Sequence, residues 1–243
     1  MAGHSKWANI RFRKGAQDAK RGKIFTKIIR EITVAARMGG ADEMSNPRLR
    51  DAINKGLKAN MKRDTIENAI KRGAGGLDGA EMMEMRYEGY GPGGIAILVD
   101  CLSDNKNRTV SEVRHAFSKF GGNLGTDGSV AYLFSQRGEI FVKLADNEDE
   151  VMELAIEAGA DDVSSDDDQI EIITPVNLYH DVLNKLKNAN LEVEESSLTM
   201  HPMTQLVIDE SAAESLIKLI DALEDLDDVQ TVHCNAQNLH EYL

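Results

Sequence analysis

The feature that most constrains this chain is the way its charge is sorted. Of 28 Lys and Arg residues, 18 lie in positions 1–75, against 7 of the 41 Asp and Glu, so that segment carries a surplus of 11 positive charges. Positions 76–243 hold the other 10 basic and 34 acidic residues, a deficit of 24, and the two halves sum to the formal net charge of −13. Surfaces this opposed belong to separately folded parts, each suited to a different partner. The hydrophobic period changes at the same place, from helical to alternating, across the glycine-rich "GAGGLDG" at 73–79.

In the basic segment, Phe25, Ile28, Ile29, Ile32 and Ala36 recur at helical spacing, which predicts a helix over 20–38 with Lys20, Lys23, Lys27, Arg30 and Arg37 on the opposite side. Gly39-Gly40 ends it. Asn46-Pro47 is a helix start, Asn as N-cap and Pro in the first turn, for a second helix to about Asn60. Asp64 and Glu67 read as a capping box for a third, ending before Gly73. Residues 1–78 are therefore expected to form a small basic helical bundle.

Beyond it the chain alternates strands and helices. Met83–Glu88 and Ile95–Leu102 read as strands joined by a "GYGPGG" turn; Thr109 with Glu112 would cap a helix bearing Val113, Ala116, Phe117 and Phe120; "SVAYLF" at 129–134 reads as another strand. Then come strand 140–144, helix 148–158 capped by Asn147, a strand near Val163, strand 170–174, helix 178–188 and strand 191–195. That β-α-β-β-α-β order is ferredoxin-like. A strand at 205–208, a helix capped by Ser211 with Glu214, and a strand at 229–233 close the chain. The expected fold class is α+β: a basic helical bundle (1–78), a split α/β domain (79–136 plus 203–243) and an inserted ferredoxin-like domain (137–202).

With 42% hydrophobic residues the chain can bury a core. Two distant cysteines, Cys101 and Cys234, point to a reducing compartment, and the longest apolar run is too short to span a bilayer, so a cytoplasmic protein with no membrane partner is expected. "GYGPGG" lacks the lysine of a phosphate loop and reads as a tight turn, although "DNKNR" at 104–108 brings polar groups to neighbouring strand ends. "DDVSSDDDQ" at 161–169 lacks the glycine and distal glutamate of an EF-hand loop. No metal set, cofactor motif, nucleophile elbow or Cys/His dyad emerges, so no cofactor, no metal and no catalytic residue is expected.

The basic segment is the candidate site. Lys6, Arg11, Arg13, Lys14, Lys20, Arg21, Lys23, Lys27, Arg30, Arg37, Lys58, Lys62, Arg63, Lys71 and Arg72 supply charges suited to a phosphate backbone, and Trp7 with His4 offers rings on which an unpaired base can stack. The competing reading is a solvated basic face with Trp7 as a packing anchor. The spread of charge across three helices favours nucleic-acid contact.

Four stretches carry a family resemblance: "MAGHSKWANIRFRKGAQDAKRGKIFTKIIREI", "RLRDAINKGLKANMKRDTIENAIKRGAG", "YEGYGPGGIAILVD" and "DNKNRTVSEVRHAFSKFGGNLGTDGSVAYLF". The chain resembles the YebC family, bacterial relatives of a mitochondrial translational activator of cytochrome oxidase subunit I, over essentially its whole length. The resemblance implies a three-domain, non-enzymatic regulator of gene expression, described in the family as a DNA-binding transcriptional regulator. It equally implies an alternative: a ribosome-associated translation factor that contacts ribosomal RNA or tRNA and assists synthesis of proline-rich stretches. In that alternative the acidic domains would meet basic ribosomal proteins.

Overall fold

The structure, a computed structural model, describes residues 17–75, 82–143, 148–165 and 169–242, with the backbone alone at 17–21. The helical part consists of α1 (Gln17–Gly39), α2 (Pro47–Lys58) and α3 (Arg63–Ala74). Their core is Ile32, Ala35, Ala36, Leu49, Ala52, Ile53, Met61, Ile66 and Ala69, with Phe25, Ile28 and Ile29 packed against it. The predicted apolar stripe of α1 is thus the inward one. Asn46 caps α2 as expected, accepting from the Leu49 N–H at 3.1 Å, while its buried amide donates to the carbonyls of Ala35 and Gly40 and staples the end of α1.

Helix α3 differs from expectation at both ends. Its N-cap is Lys62, which makes no side-chain cap bond, and Asp64 sits in the first turn, where its charge meets the helix dipole instead. Gly73 lies inside the helix because α1 crosses there: a methyl group at 73 would drive into the Thr33 carbonyl and come within 2.9 Å of the Ala36 methyl. The glycine reads as a terminator in sequence, but close approach is what requires it.

The first sheet has the order β3-β1-β2-β8, all neighbours antiparallel: β1 (Met83–Tyr90), β2 (Ala96–Ser103), β3 (Asn123–Leu124) and β8 (Val229–Cys234). The β1–β2 turn uses Gly93 (φ 71°) and Gly94 (φ 73°), a region L side chains avoid, so "GYGPGG" is a hairpin turn. Helices α4 (Lys106–Lys119) and α7 (Glu210–Glu224) bury Val113, Phe117, Leu216, Leu219, Ile220 and Leu223 against it. Each such large side chain contributes about 1.5–3 kcal/mol. The caps lie upstream of those expected. Asn105 accepts from Arg108 N–H, and Asp209 accepts from Ala212 N–H. Thr109 and Ser211 fall in the first turns instead, because an Asx side chain upstream has already met the free N–H groups.

The second sheet has the order β5-β6-β4-β7, again antiparallel, from β4 (Phe134–Lys143), β5 (Asp162–Ser165), β6 (Gln169–Thr174) and β7 (Val193–Pro202). With α5 (Glu148–Glu157) and α6 (Tyr179–Asn188) it encloses Ile140, Val142, Val151, Ala155, Ile170, Ile172, Tyr179 and Leu186. The strand expected at 129–134 is instead the approach to β4, which runs unbroken to Lys143; 205–208 makes only a single bridge, Leu206 to Ala236. The Asn147 cap lies outside the described residues.

The described chain divides into two compact units: Tyr132–Thr204, and the residues up to Ala131 together with those from Gln205 on. Helices α1, α2, α3, α4 and α7 and the first sheet therefore belong to one unit.

Candidate nucleic-acid interface

Within that unit, Lys23, Lys27 and Arg30 stand at i, i+4 and i+7 of α1 and share one face. The face lies against the end of α7 and the turn that follows, "EDLDDV". A helix C-terminus presents orphan carbonyls and the negative end of its dipole, so it attracts cations. Lys23 Nζ donates to the Asp225 carbonyl at 3.0 Å and pairs with its carboxylate at 3.3 Å. Lys27 Nζ donates to the Glu224 carbonyl at 2.7 Å. Arg30 donates to the carbonyls of Asp227 and Leu102 and, at 3.0 Å, to the Asp228 carboxylate. Burial pulls the Lys27 pKa down, outweighing the neighbouring Glu224 and Asp225 charges that raise it. The outward basic stripe expected of α1 is, for these three, an internal contact.

Asp228 is the centre of that contact. It is 2% exposed, and its carboxylate also accepts from Ser103 Oγ (2.9 Å), Thr109 Oγ1 (2.8 Å) and the Arg108 guanidinium (2.9–3.1 Å). Its carbonyl accepts the Leu102 N–H at 2.8 Å. One side chain thus ties α1, the end of β2, the first turn of α4 and the α7–β8 turn together. Burial alone would raise its pKa, but the bonds from Thr109, Arg108 and Ser103 hold it below the ordinary aspartate value. A second tie joins the bundle to the sheet, where Arg48 forks onto Glu31 (2.7 and 3.1 Å) and reaches Glu84 at 2.5 Å.

The remaining cations are placed differently. Arg37, Lys58, Lys62, Arg63, Lys71 and Arg72 are all exposed. The side chains of Arg37, Lys62, Arg63, Lys71 and Arg72 make no hydrogen bond or ion pair among the described residues. Lys62 and Arg63 open α3, and Lys71 and Arg72 stand in its last turn. His4, Lys6, Trp7, Arg11, Arg13 and Lys14 lie outside the described residues, and Lys20 and Arg21 are placed by backbone only, at the start of α1. Sequence reasoning missed Asp228 and Arg108. The signal was the acidic run at 224–228, which is opposite in charge to the α1 stripe but lies about 200 positions away.

Other charged groups in the unit are also internally satisfied. Glu88, buried at the end of β1, accepts the N–H groups of Gly128 (2.7 Å), Val130 (2.8 Å) and Ala131 (2.7 Å). Burial would raise its pKa, yet these bonds leave it lowered. Asp100 pairs with Arg86 at 2.6 Å and with the buried His233 at 3.3 Å; burial opposes its charge, but these partners bring its pKa to about 2. Burial pushes both thiols, Cys101 and Cys234, up to about 12, which keeps them protonated and poor nucleophiles. No group of three or more His, Cys, Asp or Glu among the described residues could hold a metal ion, and no described helix is long and apolar enough to cross a membrane.

Residues 5–76 match the family model described as the TACO1/YebC protein N-terminal domain, and residues 82–236 match the TACO1/YebC second and third domain. A probable transcriptional regulatory protein of Legionella pneumophila is 74% identical, over 98% of this chain and 96% of that protein. Proteins of the same description from Alcanivorax borkumensis (60% identity, 97% and 96% coverage) and Coxiella burnetii (55%, 100% of each) are also similar. The crystal structure of a conserved hypothetical protein from Aquifex aeolicus superposes with a TM-score of 0.85 at 47% identity, covering 95% of this chain and 96% of that one.

Proposed function

The chain belongs to the TACO1/YebC family, and on that premise we propose that it is a non-enzymatic regulator of gene expression that binds nucleic acid through residues 1–75. The observation that carries the reading is the surplus of 11 positive charges in that segment, together with the side chains of Arg37, Lys62, Arg63, Lys71 and Arg72, which are exposed and have no partner among the described residues. Unpaired Lys and Arg release counterions from a phosphate backbone, which gives salt-dependent affinity without any base contact. The names of its relatives, probable transcriptional regulatory protein, favour transcription, and on that reading the ligand is DNA.

A second reading, a translation factor that meets ribosomal RNA or tRNA on the ribosome and assists proline-rich synthesis, draws on one further observation. Residues 76–243 carry a deficit of 24 charges, which repels a bare duplex at close range but suits a ribonucleoprotein, whose basic proteins lie beside its RNA. Competition separates the two. Labelled protein is offered purified ribosomes and promoter-bearing duplex DNA at equal phosphate concentration and near-physiological salt. Sequence-dependent retention on DNA supports the transcriptional reading, whereas capture by ribosomes supports the translational one. Retention by neither refutes both.

A further inference from the structure

Not every cation of the basic segment is available to a nucleic acid, and the structure divides them. We propose that Lys23, Lys27 and Arg30 are positioning residues that clamp α1 to the α7–β8 turn, and that the phosphodiester backbone is gripped instead on the outer surface of α3 by Lys62, Arg63, Lys71 and Arg72. This rests on the reading of residues 1–75 as a nucleic-acid-binding segment.

The clamp cations are already engaged inside the chain. Lys27 is half-buried on the Glu224 carbonyl, and Arg30 turns its Nη1 onto two carbonyls and a carboxylate that is itself 2% exposed. A phosphate approaching these groups would also meet the charges of Glu224, Asp225, Asp227 and Asp228. Like charges at that range repel, and displacing the clamp would strand carbonyls at a helix C-terminus.

The α3 surface has the opposite character. Lys62 and Arg63 at one end and Lys71 and Arg72 at the other are exposed and spend no charge inside the described chain. Nine residues separate the pairs, about 13 Å of rise and two and a half turns, so they flank the exposed side of the helix from its two ends at a separation on the scale of a groove width. Asp64 and Glu67 lie between them, so the contact is made at the two ends of the helix. The bundle holds α3 in place through the Gly73 crossing onto α1, and the clamp holds α1 in turn. Replacing clamp residues therefore acts on how firmly the grip is mounted and leaves the number of phosphates it touches unchanged.

Salt dependence separates the two roles, because each phosphate contact removed flattens the slope of log K against log salt by about 0.9 on duplex DNA. The full-length chain is titrated with a short labelled RNA hairpin and with a labelled DNA duplex of equal phosphate content. The quadruple variant Lys62→Gln, Arg63→Gln, Lys71→Gln, Arg72→Gln is expected to flatten the slope by about 3–4 with an unchanged Tm. The clamp variant Lys23→Gln, Lys27→Met is expected to keep the wild-type slope, lower the Tm and speed amide exchange at residues 221–229. A slope flattened by about one or more in the clamp variant, or left unchanged in the quadruple variant, overturns the assignment. Wild-type protein that binds neither probe refutes the nucleic-acid reading itself, and the clamp then stands or falls on Tm and exchange alone.

Discussion

Replacing Asp228 tests how the helical bundle is joined to the first sheet. The carboxylate is 2% exposed and receives bonds from Ser103, Thr109, Arg108 and Arg30, so Asp228→Ala leaves two hydroxyls and two guanidinium groups facing a cavity. Breaking a buried charge network by removing one partner costs about 3–5 kcal/mol. Because Arg30 is 21% exposed and can recover some water, the low end applies, about 3 kcal/mol. In a unit of this size each kcal/mol moves the midpoint by about 2–4 °C, so calorimetry should show a fall of roughly 6–12 °C.

Asp228→Asn is the more searching variant. It preserves volume, so a packing account predicts little loss. On the electrostatic account the amide nitrogen points a donor at other donors, and the variant loses about as much as Asp228→Ala. The two accounts also differ in pH dependence. The folded pKa of Asp228 is depressed, so its stabilisation is fully present above the unfolded value of about 3.9 and is lost as pH falls through the lower folded value. The gap between wild type and Asp228→Asn should be constant at neutral pH and close below about pH 4. A midpoint change under about 2 °C for Asp228→Ala, or a gap that does not close in acid, refutes the reasoning.

Two further substitutions probe the mounting of the same unit. Gly73→Ala gains about 1 kcal/mol of helix propensity but forces α3 off the Thr33 carbonyl, an overpacking cost of about 1–3 kcal/mol, so urea denaturation should show net destabilisation and exchange should rise in α1 and α3; a stabilised variant would remove the close crossing as an explanation for the glycine. Glu88→Gln replaces an anion bound by three N–H groups with an amide that meets one of them donor to donor, at a cost of about 1.5–3 kcal/mol, and limited proteolysis should cut residues 125–131 faster than in wild type; an unchanged cleavage rate would mean the carboxylate does not order that loop.

Local rules carried the sequence reading wherever the cause was local. Phe25, Ile28, Ile29 and Ile32 announce the inner face of α1 because a helix repeats every 3.6 residues, and Asn46-Pro47 announces a cap because both residues act on their own neighbours. Capping boxes misled at Thr109 and Ser211, where Asn105 and Asp209 had met the same N–H groups first. Gly73 and Asp228 were illegible for a different reason. Each answers to atoms distant in the chain, the Thr33 carbonyl in one case and Arg30 in the other, and no window of sequence contains both members of the pair.

The same reasoning changes what the charge surplus means. Eleven excess positive charges in residues 1–75 set an upper bound on binding, because charge counts do not register pairing. Lys23, Lys27 and Arg30 are spent on α7 and its turn, Arg48 on Glu31 and Glu84, and Arg50 on the carbonyls of Glu43 and Met44. These contacts also absorb part of the acidic excess at 224–228, so the two opposed regions of the sequence neutralise each other where they join. Salt should weaken the pieces of that junction unequally. Lys23 and Asp225 are 44% and 60% exposed and lie within reach of screening ions, whose range at physiological ionic strength is about 8 Å, whereas Asp228 is shielded by the protein itself. Raising the ionic strength therefore strips the rim of the clamp before its centre.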